Sequence, residues 1–220
     1  MEENEKLGRL RSSIIERLGD FRAKHVLSTE REAALIAQVY LPEKLEKVRI
    51  SALLHDITKE CDTKKQLQIF AEFGIIIDNV TMHSPKVMHA LTAALLIPRE
   101  FAEFSDEEII SAVKNHTTGH ENMSVLDIII YLADYIEPLR KFEDCKRLRE
   151  YFWNGLDGLH TPNEKLLHLY KTMVKSFDFT IDNLIAEHSV IAPDTFAARN
   201  AFILKCLSIS EEINNERKQN

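Results

Sequence analysis

The sequence predicts an all-α domain, a single bundle of helices around a buried polar centre. Apolar residues recur at the three- and four-residue spacing of amphipathic helices along most of the 220 residues. With only 6 glycines and 6 prolines, the chain has few of the residues that the turns of a β-rich fold require. The sequence shows no strand-like alternation of useful length, no repeat and no low-complexity linker.

The first half of the chain divides into helices at glycine, proline and capping residues. Pro42 ends the second predicted helix, because proline restricts the residue before it, and Gly74 is expected at the C-terminus of the fourth. Ser84 and Pro85 predict the start of the fifth, with serine as the N-cap and proline in the first turn. The predicted helices cover residues 7–18, 21–40, 43–58, 63–73 and 85–98.

The second half contains the most apolar predicted helix, residues 125–137, which Ser124 is expected to cap and Pro138 to end. The segment Ser105-Asp-Glu-Glu108 predicts a capping box ahead of a helix over residues 109–116. Further helices are predicted over residues 144–153, 163–177, 179–188 and from 193 onward, with a polar tail at 211–220 that is expected to fray.

Composition limits the compartment and the partners. The net charge of −7 disfavours a surface for a nucleic-acid polymer. Cys61, Cys145 and Cys206 are widely spaced and form no CxxC motif, which predicts free thiols in a reducing compartment. The first six residues are too polar for a signal peptide, and no apolar run reaches membrane-spanning length. We expect a cytoplasmic protein with no membrane partner, and a homodimer on base rates alone.

His55 and Asp56 form the most informative pair in the chain. They close a segment, residues 50–57, whose apolar positions follow the spacing of a core-facing helix stripe. Neighbouring side chains on a helix point about 100° apart, so this pair can hold one ion only near a helix edge or end. A cap or a surface pair is the alternative, and it is the commoner role of an isolated His-Asp dipeptide.

Asp134 is the second strong candidate, because almost every neighbour in residues 128–136 is apolar. A carboxylate left ionised and unpaired in such a place costs several kcal/mol, so it requires a cation or a buried arginine. Metal ligation is favoured, with an ion pair to Arg140 or a protonated, hydrogen-bonded acid as the alternatives.

Three histidines in strongly patterned segments, His25, His89 and His116, are the remaining ligand candidates. Alone, His25 suits a surface position, and His116 could simply complement a helix dipole. His120, close to His116, is a candidate proton donor. Imidazoles and carboxylates together suit iron, manganese or zinc, and such an ion can polarise a phosphoryl oxygen and lower the pKa of a bound water.

Two cations could hold a polyanionic substrate near such an ion. Lys59 lies one helical turn beyond His55 and shares its face, and Arg140 follows the helix of Asp134. Either side chain could equally be a solvated surface charge.

The pattern of a distant histidine, a His-Asp pair and a later aspartate resembles the HD-domain superfamily. Four stretches resemble more narrowly the bacterial HD-type symmetrical diadenosine tetraphosphatases, over about residues 21–200. They are LLHDITK at residues 53–59, HTTG at 116–119, YLADYIEP at 131–138 followed by Arg140, and PDTFAARN at 193–200.

This resemblance implies an iron-dependent hydrolase that splits diadenosine tetraphosphate, a dinucleoside polyphosphate, into two ADP. Manganese or zinc are the other metals considered, with one or two ions. Asp56, His116 and Lys59 are the catalytic residues that the resemblance implies. The implied metal ligands are His25, His55, Asp56 and Asp134, with His89 and His116 facing a second ion or the substrate phosphates. The implied substrate contacts are Arg22, Lys59, Arg140, Thr195 and Arg199.

The resemblance also divides the chain into an N-terminal helix at residues 1–20, an HD-type phosphohydrolase domain at 21–200, and a helix end with a polar tail at 201–220. Three other functions stay open from the sequence. They are a nucleotidase or phosphodiesterase acting on another nucleotide, a di-iron oxygenase, and a non-catalytic nucleotide sensor that binds metal.

Overall fold

The computed structural model describes residues 2–219, with side chains for residues 5–216, and it is helical without a strand over that range. The predicted all-α class is therefore confirmed, while residues 1 and 220 of the predicted terminal segments lie outside the described residues. The α-helices are α1 (Glu2–Arg17), α2 (Asp20–Tyr40), α3 (Leu45–Leu54), α4 (Thr63–Glu72), α5 (Asn79–Met82), α6 (Pro85–Glu100), α7 (Glu107–Asn115), α8 (Val125–Ile136), α9 (Glu143–Asn154), α10 (Pro162–Ala186) and α11 (Pro193–Gln219). Two short 3-10 segments lie at Pro42–Lys44 and Ala102–Phe104.

Several predicted helix ends are confirmed by their hydrogen bonds. The Ser124 side chain accepts from the backbone of Asp127, and the Asp127 carboxylate accepts from the backbone of Ser124, so α8 begins with a full capping box. Gly74 follows α4 with a φ of +67°, a left-handed conformation that glycine adopts without steric cost.

Other predicted ends are wrong. The N-cap of α7 is Asp106, whose carboxylate accepts from two backbone N–H groups, so Ser105 does not begin the helix. Ser84 precedes α6 as predicted, but its hydroxyl makes no capping hydrogen bond. Pro98 lies inside α6, which continues to Glu100, because a proline near a helix end removes one hydrogen bond without preventing a final turn.

The predicted break between residues 177 and 179 is also wrong, since α10 is continuous from Pro162 to Ala186. Asp178 is a polar residue on this helix, and neither glycine nor proline is present to interrupt it. The last predicted helix, from residue 193 onward, is α11, and it continues through the described part of the polar tail, residues 211–219. The short helix α5 was not predicted.

The helix α8 lies at the middle of the bundle and packs against α2, α3, α7, α9 and α10. Its residues 128–133 are all buried, which explains why this helix is apolar on every side. One core cluster surrounds α8, and a second joins α1, α3, α6 and α7. Helices α2, α3 and α7 contribute to both clusters, and they or the turns at their ends carry His25, His55 and His116.

No helix within residues 2–219 combines the length and the apolar character that crossing a lipid bilayer requires.

The HTTG stretch ends on a glycine that packing requires, and this can be tested against a matched glycine. Gly119 has a φ of +69°, and a Cβ there would lie 2.5 Å from Cζ of the buried Phe177. Gly74 has nearly the same φ but open space around it. We expect Gly74→Ala to lower the free energy of unfolding by about 1–2 kcal/mol, from backbone strain alone. Gly119→Ala should cost about 2–5 kcal/mol, because overlap with a rigid ring is added.

Urea unfolding followed by circular dichroism measures both losses. Equal losses in the two variants would show that the Phe177 ring moves aside without cost.

Candidate metal centre

Five helices bring six candidate side chains to one buried place. His25 comes from α2, His89 from α6 and Asp134 from α8. His55 and Asp56 lie in the turn that follows α3, and His116 directly follows α7. The predicted helix over residues 43–58 therefore ends before the His-Asp pair, and the pair lies at a helix end as its geometry requires.

Two of these histidines are oriented by the same kind of hydrogen bond to the backbone. The Nδ1–H of His55 donates to the carbonyl of Ala52 at 2.6 Å, and the Nδ1–H of His116 donates to the carbonyl of Val113 at 2.7 Å. Because a carbonyl oxygen only accepts, the proton of each neutral ring is on Nδ1, which leaves the Nε2 lone pair free. Each histidine thus uses the carbonyl three residues before it to direct Nε2 into the centre.

His25 is held from the other side by a buried carboxylate. Its Nδ1 lies 3.1 Å from Glu137 Oε1, while its Nε2 lies 2.9 Å from Asp134 Oδ1 and 3.6 Å from Asp56 Oδ2. Burial alone would lower the pKa of His25, but the contacts with Asp134 and Glu137 outweigh it and raise the pKa to about 9. The negative surroundings of Nε2 therefore favour a positive charge at this point, a proton or a metal cation.

The Asp56 carboxylate lies between two groups of imidazoles. Its Oδ2 is 3.5 Å from His55 Nε2, and its Oδ1 is 3.1 Å from His89 Nε2 and 3.7 Å from His116 Nε2. Arg22 also donates to Oδ2 at 2.7 Å. Burial would raise the pKa of this carboxyl, but its electrostatic interaction with His55 and its contacts with His116 and His89 hold the pKa well below its usual value.

The Asp134 carboxylate contacts both the arginine that its sequence context suggested, Arg140, and a histidine of the centre, His25. Its Oδ1 accepts from Arg140 at 2.6 Å and lies 2.9 Å from His25 Nε2. Burial would raise its pKa, but Arg140 and the histidines hold it well below the usual value, so the group is an ionised carboxylate. The ion pair that was the alternative to metal ligation is present together with the imidazoles.

His89 and His116 contact each other on the far side of Asp56. Their Nε2 atoms are 3.0 Å apart, and Lys59 Nζ lies 3.3 Å from both ring nitrogens of His89. Burial lowers the pKa of His89 to about 4 and also lowers that of His116. Both rings are therefore neutral near pH 7, the form in which imidazole binds a metal or accepts a proton.

These residues fit a divalent transition-metal cation. The Nε2 atoms of His25 and His55 are buried, and neither makes an acceptable hydrogen bond to any residue that the structure describes. Each nitrogen lies 2.9 to 3.7 Å from Asp56 Oδ2 and from Asp134 Oδ1. His25, His55 and Asp134 form one group of possible metal ligands. Ligands about 2.1 Å from a shared ion lie about 3.0–3.4 Å from one another, so the spacing matches. His55, Asp56 and His116 form a second, overlapping group of possible ligands.

A cleft of about 970 Å³ opens beside the centre, with His116 and Asp134 in its wall. Its other lining residues include three cations, several carboxylates and several aromatic rings, of which the sequence analysis singled out only Arg140. They are Lys86, Thr117, Tyr135, Arg140, Phe142, Asp144, Arg147, Phe179 and Asn183, among others. Apart from Arg140, Thr117 of the HTTG stretch and Tyr135 of the YLADYIEP stretch, these residues belong to no motif, so only the packing of the helices reveals them.

The predicted substrate contacts fall in three places. Arg22 pairs with Asp56, Lys59 contacts His89, and Arg140 both lines the cleft and pairs with Asp134. The other two lie on α11: Thr195 is buried at its first turn, and Arg199 pairs with Asp178 of α10 at 2.5 Å.

The candidate proton donor His120 accepts at Nδ1 from the backbone of Asn122, which leaves its proton on Nε2. The catalytic and binding roles of all these residues stay predictions.

Residues 22–139 of the chain, which include every side chain of the centre, match the HD-domain family. The chain belongs to the HD-domain family. Within it, the symmetrical bis(5'-nucleosyl)-tetraphosphatase of Halalkalibacterium halodurans is 29% identical over 188 residues, 86% of this chain and 92% of the relative. The enzyme of the same name from Staphylococcus aureus is 31% identical over 173 residues, 77% of this chain and 88% of the relative.

A solved structure gives the same result for the fold. The chain is similar to a protein from Clostridium acetobutylicum named a predicted HD superfamily hydrolase involved in NAD metabolism. The TM-score is 0.78 at 31% identity, over 90% of this chain and 97% of the other. The predicted resemblance is confirmed, and the chain is a member of a hydrolase family whose domains bind divalent metals.

Glu137 is a residue of this HD domain that the sequence analysis missed. Its side chain is buried, contacts His25 Nδ1 and accepts from the backbone of Leu139 at 2.7 Å. The signal was its position three residues after Asp134, on the same face of α8. A carboxylate behind a histidine fixes the ring orientation and makes the opposite nitrogen a better ligand.

We therefore expect Glu137→Gln to weaken divalent-metal binding about 10- to 100-fold while the fold is retained. The amide oxygen can still accept from His25, but the negative charge behind the ring is lost. Glu150→Gln, at an exposed position of α9, is the matched control. Metal titration of the metal-free protein, with the thermal midpoint measured alongside, tests this. Wild-type metal affinity in Glu137→Gln would show that His25 does not depend on this carboxylate.

Proposed function

We propose that this HD hydrolase cleaves diadenosine tetraphosphate symmetrically into two ADP, using a divalent cation, most favourably iron. The observation that carries the proposal is the position of the histidine and aspartate cluster in the wall of a cleft that also presents several cations. The matches to the relatives cover most of this chain and most of each relative, and the names of those relatives support the same substrate.

Three cations in the lining of the cleft support a polyphosphate ligand. Lys86, Arg140 and Arg147 line the cleft, and Lys59 lies beside His89 at the centre. The same lining carries five carboxylates, those of Asp134, Glu143, Asp144, Asp182 and Glu187, so the phosphate chain would be bound by individual cations and not by the overall charge of the cleft. Lysine and arginine side chains neutralise the oxygens of a phosphate chain. The volume of the cleft is in the range of small-molecule sites.

In this proposal His25, His55, Asp56 and Asp134 hold the first cation, with manganese and zinc as the other metals considered. His89 and His116, on the opposite side of the Asp56 carboxylate, face either a second ion or a substrate phosphate. A cation at this centre supplies Lewis-acid activation of water and of a phosphoryl oxygen at neutral pH.

The protein residues would bind and orient the reactants. Arg140 and Lys59 would neutralise the phosphate oxygens, and Arg22 would keep Asp56 ionised and in place. Water would attack an inner phosphorus, the bond from that phosphorus to the bridging oxygen would break, and ADP would depart. The hydroxyl of Thr117 is buried in the cleft wall without a partner among the described residues, so it is available to donate to a phosphate oxygen.

Asp56 and His116 would orient the attacking water, and Lys59 would stabilise the departing oxygen, which protonation by His116 or His120 could assist. Thr195 and Arg199 are retained as proposed contacts of the more distant nucleotide.

A product assay tests the proposal. Protein loaded with ferrous iron and kept from air should convert diadenosine tetraphosphate to ADP alone, separated by chromatography. Asp134→Asn should lose bound metal and lower kcat by about a thousandfold, equivalent to about 4 kcal/mol of transition-state stabilisation. Asp157→Asn, in the exposed loop after α9, is the control.

Each alternative product pattern contradicts the proposal in its own way. ATP with AMP would mean asymmetric cleavage, and turnover of another nucleotide alone would mean a different nucleotidase. Oxygen consumption coupled to substrate loss would indicate an oxygenase, while tight binding without turnover would indicate a sensor.

Metal removal is a separate test. We expect chelation to abolish hydrolysis and to lower the thermal midpoint, because a cation bound only by the folded state stabilises it. Ferrous iron should restore activity more fully than manganese or zinc. Full turnover after complete metal removal would exclude the metal mechanism.

Two further proposals concern the state of the protein in the cell. A cytoplasmic location is supported by Cys61, Cys145 and Cys206, all of which are free. A homodimer remains a proposal from base rates, and light scattering after gel filtration measures it directly.

A further inference from the structure

The cleft has an aromatic side away from the metal centre. Phe142 precedes α9, lines the cleft and is 68% exposed. No aromatic ring or cation of the described residues stacks on it. Phe179 of α10 lines the same cleft, but Arg147 lies 5.1 Å from its ring centroid. Of the two phenylalanines in this cleft, Phe142 is therefore the one whose face is available to a ligand.

A hydrogen-bonding group lies in the same wall. The Asp144 carboxylate accepts from the Tyr135 hydroxyl at 2.7 Å and from the Asn183 side-chain amide at 3.0 Å. Because an ionised carboxylate only accepts, Asn183 must turn its NH₂ group toward Asp144, which leaves its carbonyl oxygen as an acceptor. Asp144 and Asn183 thus offer acceptors for an amino group on a ligand.

The distance from the phosphate-binding side chains suits one nucleoside. Arg140, which pairs with Asp134, and Phe142 are separated by one residue, so their Cα atoms are at most about 7 Å apart. When a phosphate of the ligand contacts Arg140 and the metal centre, the adjoining ribose therefore spans the distance that brings the base to the Phe142 ring. Bases stack on such rings without regard to sequence, since every base has a π-face.

We propose that Phe142 is a stacking platform for a purine base of the substrate, with Asp144 and Asn183 accepting from the amino group of that base. This inference rests on the proposed function in taking the ligand to be a nucleoside polyphosphate. It assigns the base, rather than the phosphate chain, to the wall formed by α9 and α10.

The test compares a ligand that has a base with one that has none. With metal-loaded protein, calorimetry measures the Kd of ADP and of inorganic pyrophosphate for each variant. Phe142→Ala should weaken ADP about 10- to 100-fold and leave pyrophosphate unchanged. Phe142→Tyr should restore ADP binding, and Asn183→Ala should weaken ADP by a smaller factor. With diadenosine tetraphosphate, Phe142→Ala should raise KM more than it lowers kcat.

Phe73→Ala is the control, because Phe73 is also a partly exposed phenylalanine but follows α4, does not line the cleft and, unlike Phe142, has an arginine over its ring. It should leave the affinity for both ligands unchanged. Circular dichroism checks that each variant is folded.

Equal loss of ADP and pyrophosphate affinity in Phe142→Ala, or no loss of either, would overturn the platform. The same measurements distinguish failure of the proposed function from failure of the stacking platform. If the wild type does not hydrolyse the tetraphosphate but Phe142→Ala still loses ADP selectively, the platform stands and the substrate assignment falls. If ADP binds wild-type protein no more tightly than pyrophosphate does, the base contributes nothing and the platform is rejected.

Discussion

The burial of one carboxylate, that of Asp56, is the constraint on which the rest of the site depends. The side chain is 2% exposed, so an ionised group there must be surrounded by positive or polarisable partners. Arg22 and His55 lie on the side of one oxygen, and His89 and His116 lie on the side of the other. Helices α2, α3, α6 and α7 have to end or pass at this point to supply them, and that requirement explains why so many elements converge here.

The centre lies on helices that also belong to the apolar core. Helices α2, α3 and α7, which carry His25, His55 and His116 along or at their ends, contribute to both apolar clusters. The buried Nε2 atoms of His25 and His55 make no hydrogen bond of acceptable geometry within the described residues, an arrangement that native proteins rarely retain outside functional sites. A cation bound as proposed would compensate for the cost of this arrangement.

Periodicity and spacing were sufficient for the existence of most helices and for the members of the centre, since buried polar residues stand out in apolar segments. They were not sufficient for the ends, because Pro98 and the segment around Asp178 depend on whether packing supports a further turn. Exposed side chains such as Lys86 and Phe142 carry no signal by themselves. Their meaning comes only from the distant elements that the fold places across the cleft, and no local pattern encodes that placement.

The short segment after α8 connects the centre to the cleft. The Glu137 side chain supports a histidine of the centre, and Arg140 pairs with the aspartate of α8 and lines the cleft two residues before Phe142. Arg149 of α9 donates to the backbone carbonyls of Ile136, Glu137 and Arg140, and so holds this segment against α9. A shift of the segment would therefore move the support of a proposed metal ligand and the proposed phosphate and base contacts together. If the proposed function is correct, metal geometry and substrate position are therefore coupled through one set of backbone hydrogen bonds, those of Arg149.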